Sequence, residues 1–198
     1  MSNKVRYGLK NVHYAPLTFG TGNAPTFGTP VRIPGAVNLS LARSGDDLVF
    51  YADDGVYFEC GDNSAFDGDL ELAMIPEGFS TDMMGDVKDD NGVLVTEGSP
   101  ERKHFALMFE FTGDKRGIRH VVYNCTASPE DDLTGATRGE NIEVQTEKLK
   151  LRARPLPNNN RVKAKTGDTT TQAVYDGWYE SVYSPTVTPE QNNATTGG

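Results

Sequence analysis

Two neighbouring stretches of alternating apolar residues constrain this fold more than any other part of the sequence. The first stretch is His104–Phe111, in which every second residue is large and apolar: Phe105, Leu107, Phe109 and Phe111. Side chains that recur with a period of two lie on one face of a β-strand. A glycine-containing turn at 113–117 separates this stretch from a second β-rich run, Ile118–Cys125. The pair predicts an antiparallel hairpin whose first strand is half-buried.

Length and composition extend this prediction to the whole chain. With 198 residues, the protein is long enough for one domain with a substantial core. Its 21 Gly and 11 Pro favour short strands joined by turns over long helices. The net charge of −9 argues against tight, sequence-independent binding to nucleic acid, which requires clustered Lys and Arg. A soluble, mostly β protein is therefore expected.

Alternation of apolar and polar residues predicts further strands at 5–15, 31–41, 67–76, 93–95, 143–154 and 162–166. Between the second and third of these, Asp46–Glu59 contains two aromatic-rich segments around an Asp-Asp-Gly turn, which predicts a long hairpin. Its aromatic residues would either pack on the chain's own core or form an exposed patch that binds a partner. The residues of interest in this hairpin are Phe50, Tyr51, Asp53, Asp54, Tyr57 and Phe58.

The strand predicted at 143–154 has one basic face. Its outward positions are Lys148, Lys150, Arg152 and Arg154, alternating with Leu149, Leu151 and Ala153. Such a face indicates either simple solvent exposure or contact with acidic neighbours in an assembly.

Two short helices complete the expected secondary structure. One covers 80–84, with Ser80 as its N-cap and Gly85 ending it. The other covers 172–183, where apolar residues recur at every fourth position. Residues 1–184 are predicted to form the folded domain, and 185–198 a disordered C-terminal tail with little to bury.

No catalytic, cofactor-binding or metal site is predicted. The three histidines, His13, His104 and His120, all fall inside strand patterns. Cys60 and Cys125 are too few for a disulfide framework or a zinc site, and indicate small apolar residues in a reducing compartment. No signal peptide is recognised and the longest apolar run is far short of the ~20 residues that span a bilayer, so synthesis in a cytoplasm is expected.

An ordered series of segments resembles one protein family. The segments are Gly8–Ala15, Ile33–Leu41, Phe50–Asp54, Gly68–Pro76, Asp90–Leu94, Phe105–Phe111, Arg119–Thr126 and Val162–Thr166. Together they resemble the major tail proteins, or tail tube proteins, of long-tailed non-contractile bacteriophages (siphoviruses) of the phi13 type. The match runs from residue 4 to about residue 184, and the tail after Pro185 lies outside it.

The resemblance implies a β-sandwich or partial barrel with one or two short flanking α-helices, the phage tail-tube fold. It implies a structural subunit of the virion that self-assembles into hexameric rings, which stack into the channel for DNA ejection. A projecting hairpin would grip neighbouring copies, and DNA would pass through the lumen without specific binding. Implied partners are the chain itself and the tape measure, tail terminator and distal tail proteins; no cofactor, membrane or enzymatic activity is implied.

A carbohydrate-binding β-sandwich module is the alternative function. Tyr51, Tyr57, Trp178 and Tyr179 would then be exposed platforms on which sugar rings stack. A hydrolase of unknown mechanism is a third possibility, because a pair of catalytic carboxylates can come from distant segments.

Overall fold

The computed structural model describes residues 3–45, 47–52, 54–61, 65–130 and 144–185. Its strands are β1 (Arg6–Phe19), β2 (Pro25–Phe27), β3 (Val31–Arg32), β4 (Ala36–Ser44), β5 (Asp47–Ala52), β6 (Gly55–Gly61), β7 (Ala65–Leu72), β8 (Val87–Lys88), β9 (Leu94–Val95), β10 (His104–Gly113), β11 (Ile118–Pro129), β12 (Glu147–Ala153) and β13 (Lys163–Lys165). The short helices are α1 (Glu77–Phe79) and α2 (Gln172–Asp176). None of the described helices has the length and apolar character needed to cross a membrane.

Most strands join one antiparallel sheet in the order β2-β1-β10-β11-β12-β7-β4, with β13 beside β11 and β3 beside β1. The sheet bends at β11, which changes partners along its length. Its first part lies between β10 and β13, whereas from Cys125 to Pro129 it pairs with β12. We call β2, β1, β10, β13 and the first part of β11 the first half-sheet. The second half-sheet consists of the last part of β11 with β12, β7 and β4.

The main hydrophobic core lies between the two half-sheets. Alternate residues of β10 point into it, as the sequence pattern predicts, and meet residues of β7 and β12 from the other side. Leu70 and Leu149, a cross-strand pair, are both 0% exposed. Phe79 and Met83 from the α1 region pack on the same cluster. The predicted mostly β architecture, a sandwich or partial barrel with short helices, is confirmed.

The opposite face of the first half-sheet is also covered, so β10 is buried on both faces rather than half-buried. Ala106 and Met108, which point away from the main core, are each 0% exposed. They pack under the C-terminal segment, where Trp178 and Val182 close a second cluster. The sequence pattern of β10 could not reveal this cover, because it comes from residues about seventy positions further along the chain.

The second predicted helix is shorter than expected. The α-helix α2 ends at Asp176, and a 3-10 turn, Gly177–Tyr179, replaces the remainder. Glycine weakens a helix by about 1 kcal/mol relative to alanine, which accounts for the end at Gly177. The apolar residues nevertheless reach the second cluster, because the turn keeps the chain against the sheet.

The first predicted helix also begins differently. It starts at Glu77, and residues 80–84 form a π-helical turn that ends at Gly85, whose φ of 89° suits glycine. Ser80 is not its N-cap; the Ser80 hydroxyl instead lies beside Met84 Sδ, at 3.9 Å. The predicted disordered tail falls, at 186–198, outside the described residues.

Candidate assembly surfaces

The predicted hairpin is present as a separate two-stranded sheet, which we call the arm (residues 47–61). Strands β5 and β6 pair antiparallel from Asp47–Gly61 to Ala52–Gly55, with an irregularity after Phe50. Among the described elements, no other strand pairs with the arm. A six-residue strand spans about 20 Å, and a two-stranded ribbon without a further strand is at best marginally stable in water.

The arm is attached to the second half-sheet. Strands β4 and β7 pair up to Ser44 and Ala65, and β5 and β6 pair from Asp47 and Gly61. Since β5 follows β4 and β6 precedes β7 in the chain, the β4–β7 pair carries the arm at its base. The fold anchors the base of the arm, because β7 is held on its other side by β12.

The aromatic residues predicted to mark the arm occupy both of its strands. Phe50 pairs with Phe58 across the ribbon, and Tyr51 pairs with Val56. Tyr57 is 72% exposed, which makes it an aromatic side chain in contact with solvent. Of the predicted acidic residues, Asp54 lies in the exposed turn and Asp53 lies outside the described residues.

The basic face of β12 is present, but acidic residues of β7 lie beside it. Three cross-strand pairs of opposite charge form a ladder: Lys148 with Glu71, Lys150 with Asp69, and Arg152 with Asp67. Arg152 Nε lies 3.2 Å from Asp67 Oδ1, and Lys150 Nζ lies 3.3 Å from Glu130 Oε1. Directly opposed charges of unlike sign stabilise a sheet by roughly 0.2–1 kcal/mol per pair.

Asp67 connects this ladder to the base of the arm. A hydrogen bond from Ser44, followed by the positive charges of Arg152 and Arg154, lowers the pKa of the Asp67 carboxyl. Arg154 Nη1 lies 3.9 Å from the same carboxylate. Two of the three pairs, Lys150 with Asp69 and Arg152 with Asp67, line an open polar groove of about 590 Å³, whose wall also includes Arg102 and residues of β11.

Among the described strands, the second half-sheet has two borders that lack a further partner strand. Strand β4 is an outer strand of the sheet, and its nine residues contain one charged residue, Arg43, and no proline. Such long edges usually carry more protection against pairing with another chain. At the opposite border, Ala127–Pro129 continues beyond the start of β10, and its pairing in the described part of the chain is with β12 alone. Both borders therefore offer backbone groups to another strand.

One glycine allows β4 to approach β7 closely. A Cβ atom placed on Gly68 would lie 1.8 Å from the Ser40 carbonyl oxygen, much closer than atoms can pack. Gly68 pairs with Leu41 on β4 and Leu151 on β12. The ribbon that carries the arm therefore depends on the absence of a side chain at this position.

The histidines are packing residues. The ring of His13 stacks on Tyr179 at 4.5 Å between centroids, and the ring of His120 stacks on Phe109 at 5.0 Å. Burial, then the charges of nearby basic residues, lowers the pKa of His120 to about 4. His104 hydrogen-bonds Asn124 through Nδ1. Across the described ranges, no three His, Cys, Asp or Glu residues are arranged to hold a metal ion.

A buried ionic cluster was not anticipated from the sequence. The carboxylate of Glu110, on β10, is 5% exposed and lies 3.0 Å from Arg119 Nε and 3.2 Å from Lys10 Nζ. Arg119 in turn stacks on the ring of Tyr175 at 3.7 Å and donates to the Tyr175 carbonyl oxygen. The cluster fastens the C-terminal segment to the first half-sheet, and is structural in character.

Two of the four aromatic residues predicted to stack on sugar rings are not exposed. Trp178 is 2% exposed in the second cluster, and its Nε1 donates to the His120 carbonyl oxygen at 3.4 Å. Tyr179 is half-buried, and its hydroxyl is enclosed. Tyr57 is exposed as expected. The prediction that Trp178 and Tyr179 would be surface platforms is wrong, because the C-terminal segment turns them toward the sheet.

Comparison with known proteins gives limited similarity. No family model matches the chain, and no curated protein matches it. Among solved structures, the chain is similar to the anti-feeding prophage cap (AFP tube terminating cap), determined by cryo-EM. The identity is 14% and the TM-score 0.40, over 82% of this chain and 93% of that chain.

Proposed function

We propose that this protein is a structural subunit of a bacteriophage tail tube, which assembles into stacked hexameric rings around a channel for DNA. The observation that carries the proposal is the second half-sheet, which among the described strands has two borders without a further partner and carries an arm that pairs with no other strand. The ordered series of sequence segments that resembles tail tube proteins supports the same proposal. The function requires no catalytic residue, and we propose that the protein is not an enzyme.

The unpaired borders suggest how a ring would close. Pairing the outer edge of β4 in one copy with the free border of β11 in the next copy would satisfy backbone groups on both. The two borders differ, so this contact is heterologous, and a heterologous contact closes into a ring when its rotation divides a full turn. Repetition would join the second half-sheets into one continuous sheet.

Charge on the assembled surface is compatible with a DNA channel. The chain carries a net charge of −9, and a wall of like charge forfeits the counterion release that would hold DNA in place. The cations of β12 are opposed by carboxylates of β7, which reduces their attraction for phosphate. We propose that this face contacts another copy, in an outer or inter-ring position.

Electron microscopy of the concentrated, purified protein tests the function directly. Rings or tubes with a central hole are expected, and light scattering follows the conversion from subunits. A protein that stays monomeric at every concentration, salt and temperature tested would contradict the proposal. So would a strictly monomeric protein that binds glycans, which is the outcome expected of a carbohydrate-binding module.

Deletion of the arm isolates its role. Removing Ser44–Asn63 and joining the ends through a short turn is expected to leave a soluble, folded monomer that no longer polymerises. Circular dichroism and thermal unfolding establish that the shortened chain is folded. If the folded deletion variant forms normal tubes, another part of the molecule makes the contact between copies.

Charge reversal tests the face of β12. Replacing Lys150 and Arg152 by Glu is expected to reduce tube formation and its resistance to salt, but it also sets Glu against Asp69 and Asp67. The matched control adds Asp69→Lys and Asp67→Arg, which restores the ladder with inverted polarity. If both variants lose tube formation, this face contacts another copy. If the matched control recovers tube formation, the charges act only within the subunit.

A further inference from the structure

Three exposed basic side chains gather where β13 lies beside β11, and we call them the basic patch: Arg6, Lys163 and Lys165. Lys163 and Lys165 alternate on β13, so they point the same way, and Lys165 pairs with His120 of β11. All three cations act on His120, whose pKa their charge lowers in addition to the effect of burial. Arg6 lies over the ring of Phe111, whose centroid is 5.4 Å from that of His120, so it is near the two lysines although it is far away in sequence.

The basic patch stands on an aromatic surface. Lys163 Nζ lies 4.6 Å from the centroid of the Phe66 ring, and Arg6 Cζ lies 5.1 Å from that of Phe111. Within the described part of the chain, no carboxylate is within salt-bridge distance of any of the three cations. The cations of β12, by contrast, face carboxylates. The patch is thus a local positive surface on an acidic protein.

The arm has the opposite charge. From residue 47 to residue 61 the sequence contains acidic residues and no Lys or Arg. The acidic residues on the described arm backbone are Asp47 and Glu59 in its strands and Asp54 in its turn. Tyr57 adds an exposed ring, a group that packs well against cations.

We infer that the basic patch is the docking site for the acidic arm of a neighbouring copy of this chain. The inference rests on the proposed function, and it identifies the surface that binds the arm. Acidic residues and an aromatic ring on the arm meet cations and aromatic rings on the patch. Each cation then gains a carboxylate, which no described residue of its own subunit supplies.

The position of the patch fits such an exchange between copies. Phe66, beneath Lys163, lies at the start of β7, immediately after the chain leaves the arm. The base of the arm and the patch therefore lie at the same end of the subunit. Rotation about a ring axis keeps that end at one height, so each copy can give its arm to one neighbour and receive an arm from the other.

Complementary charge reversal tests the inference. The patch variant carries Lys163→Glu and Lys165→Glu, and the arm variant carries Asp47→Lys, Asp54→Lys and Glu59→Lys. Each variant alone is expected to need at least about tenfold more protein to assemble than the unaltered chain, measured by light scattering and electron microscopy. An equimolar mixture should recover assembly, because each arm then meets a patch of opposite charge.

A matched control reverses two exposed lysines elsewhere. Lys103→Glu with Lys115→Glu changes the net charge by the same amount as the patch variant, and it should assemble like the unaltered chain. If the unaltered chain forms tubes and the patch variant does so at the same concentration and salt, the docking site is wrong while the proposed function stands. If the unaltered chain never assembles, the proposed function itself fails.

Two further outcomes would also overturn the inference. If the mixture fails but one chain carrying both sets of reversals assembles, the arm contacts the patch of its own subunit. If the patch variant loses binding to a short DNA duplex while its assembly is unchanged, the patch is a nucleic-acid surface. Circular dichroism shows in each case that the variants are folded.

Discussion

Replacing Glu110 by Ala should destabilise the protein more than any exposed charge substitution, because Glu110 is a buried carboxylate that pairs with a half-buried guanidinium. The Glu110 carboxylate is 5% exposed and lies 3.0 Å from Arg119 Nε, and the Arg119 side chain is 17% exposed. Removing one partner of a buried ion pair leaves an uncompensated charge and typically costs about 3–5 kcal/mol. Lys10 contributes little, since its side chain is 49% exposed and such bridges are worth about 0–1 kcal/mol.

The expected loss is therefore about 3–5 kcal/mol in the free energy of unfolding, a large share of the about 5–15 kcal/mol of a typical domain. Urea unfolding at pH 7, followed by circular dichroism, measures it. Because Arg119 also holds Tyr175, hydrogen exchange should accelerate in the C-terminal segment around α2 before the rest of the sheet is affected.

An exposed ion pair provides the control for this experiment. Glu77 and Lys88 form a salt bridge in which both side chains are 52% exposed, so Glu77→Ala should cost less than about 1 kcal/mol. A Glu110→Ala variant whose stability lies within about 1 kcal/mol of that control would refute the reasoning. It would mean that water or another acceptor reaches Arg119 when the carboxylate is removed.

Two further predictions concern the sheet. Gly68→Ala should weaken the pairing of β4 with β7 by about 2–3 kcal/mol, since the added Cβ would lie 1.8 Å from a β4 carbonyl oxygen; urea unfolding together with amide exchange in β4 measures it, and unchanged exchange would contradict it. His120 is neutral in the fold, with its pKa lowered from 6.5 to about 4, first by burial and then by neighbouring cations. The unfolded chain binds the proton more readily, so stability should fall by up to about 3 kcal/mol as the pH drops from 6.5 to 4. His120→Phe should lose this part of the pH dependence in urea midpoints measured at pH 7 and pH 4.5, and an identical decline in both proteins would contradict the assignment.

Local patterns in the sequence were sufficient for the longer strands and for the two hairpins. The period-two spacing in β10 places one set of side chains in the main core, and β5 pairs antiparallel with β6 as predicted. These features depend on residues close together in the chain, because a turn and an alternating strand are specified by neighbours. The basic positions of β12 were predictable for the same reason.

Only the tertiary structure decided which strands lie side by side, and most of the surface chemistry follows from that choice. Lys150 faces Asp69 because β12 lies next to β7, about eighty residues away in sequence, and Glu110 meets Lys10 because β10 lies next to β1. Burial of Trp178 likewise depends on a C-terminal segment folding back over strands formed much earlier in the chain. The pairing of distant strands is selected by the packing of the whole core. The sequence pattern therefore shows which residues are charged, but not which residues they pair with.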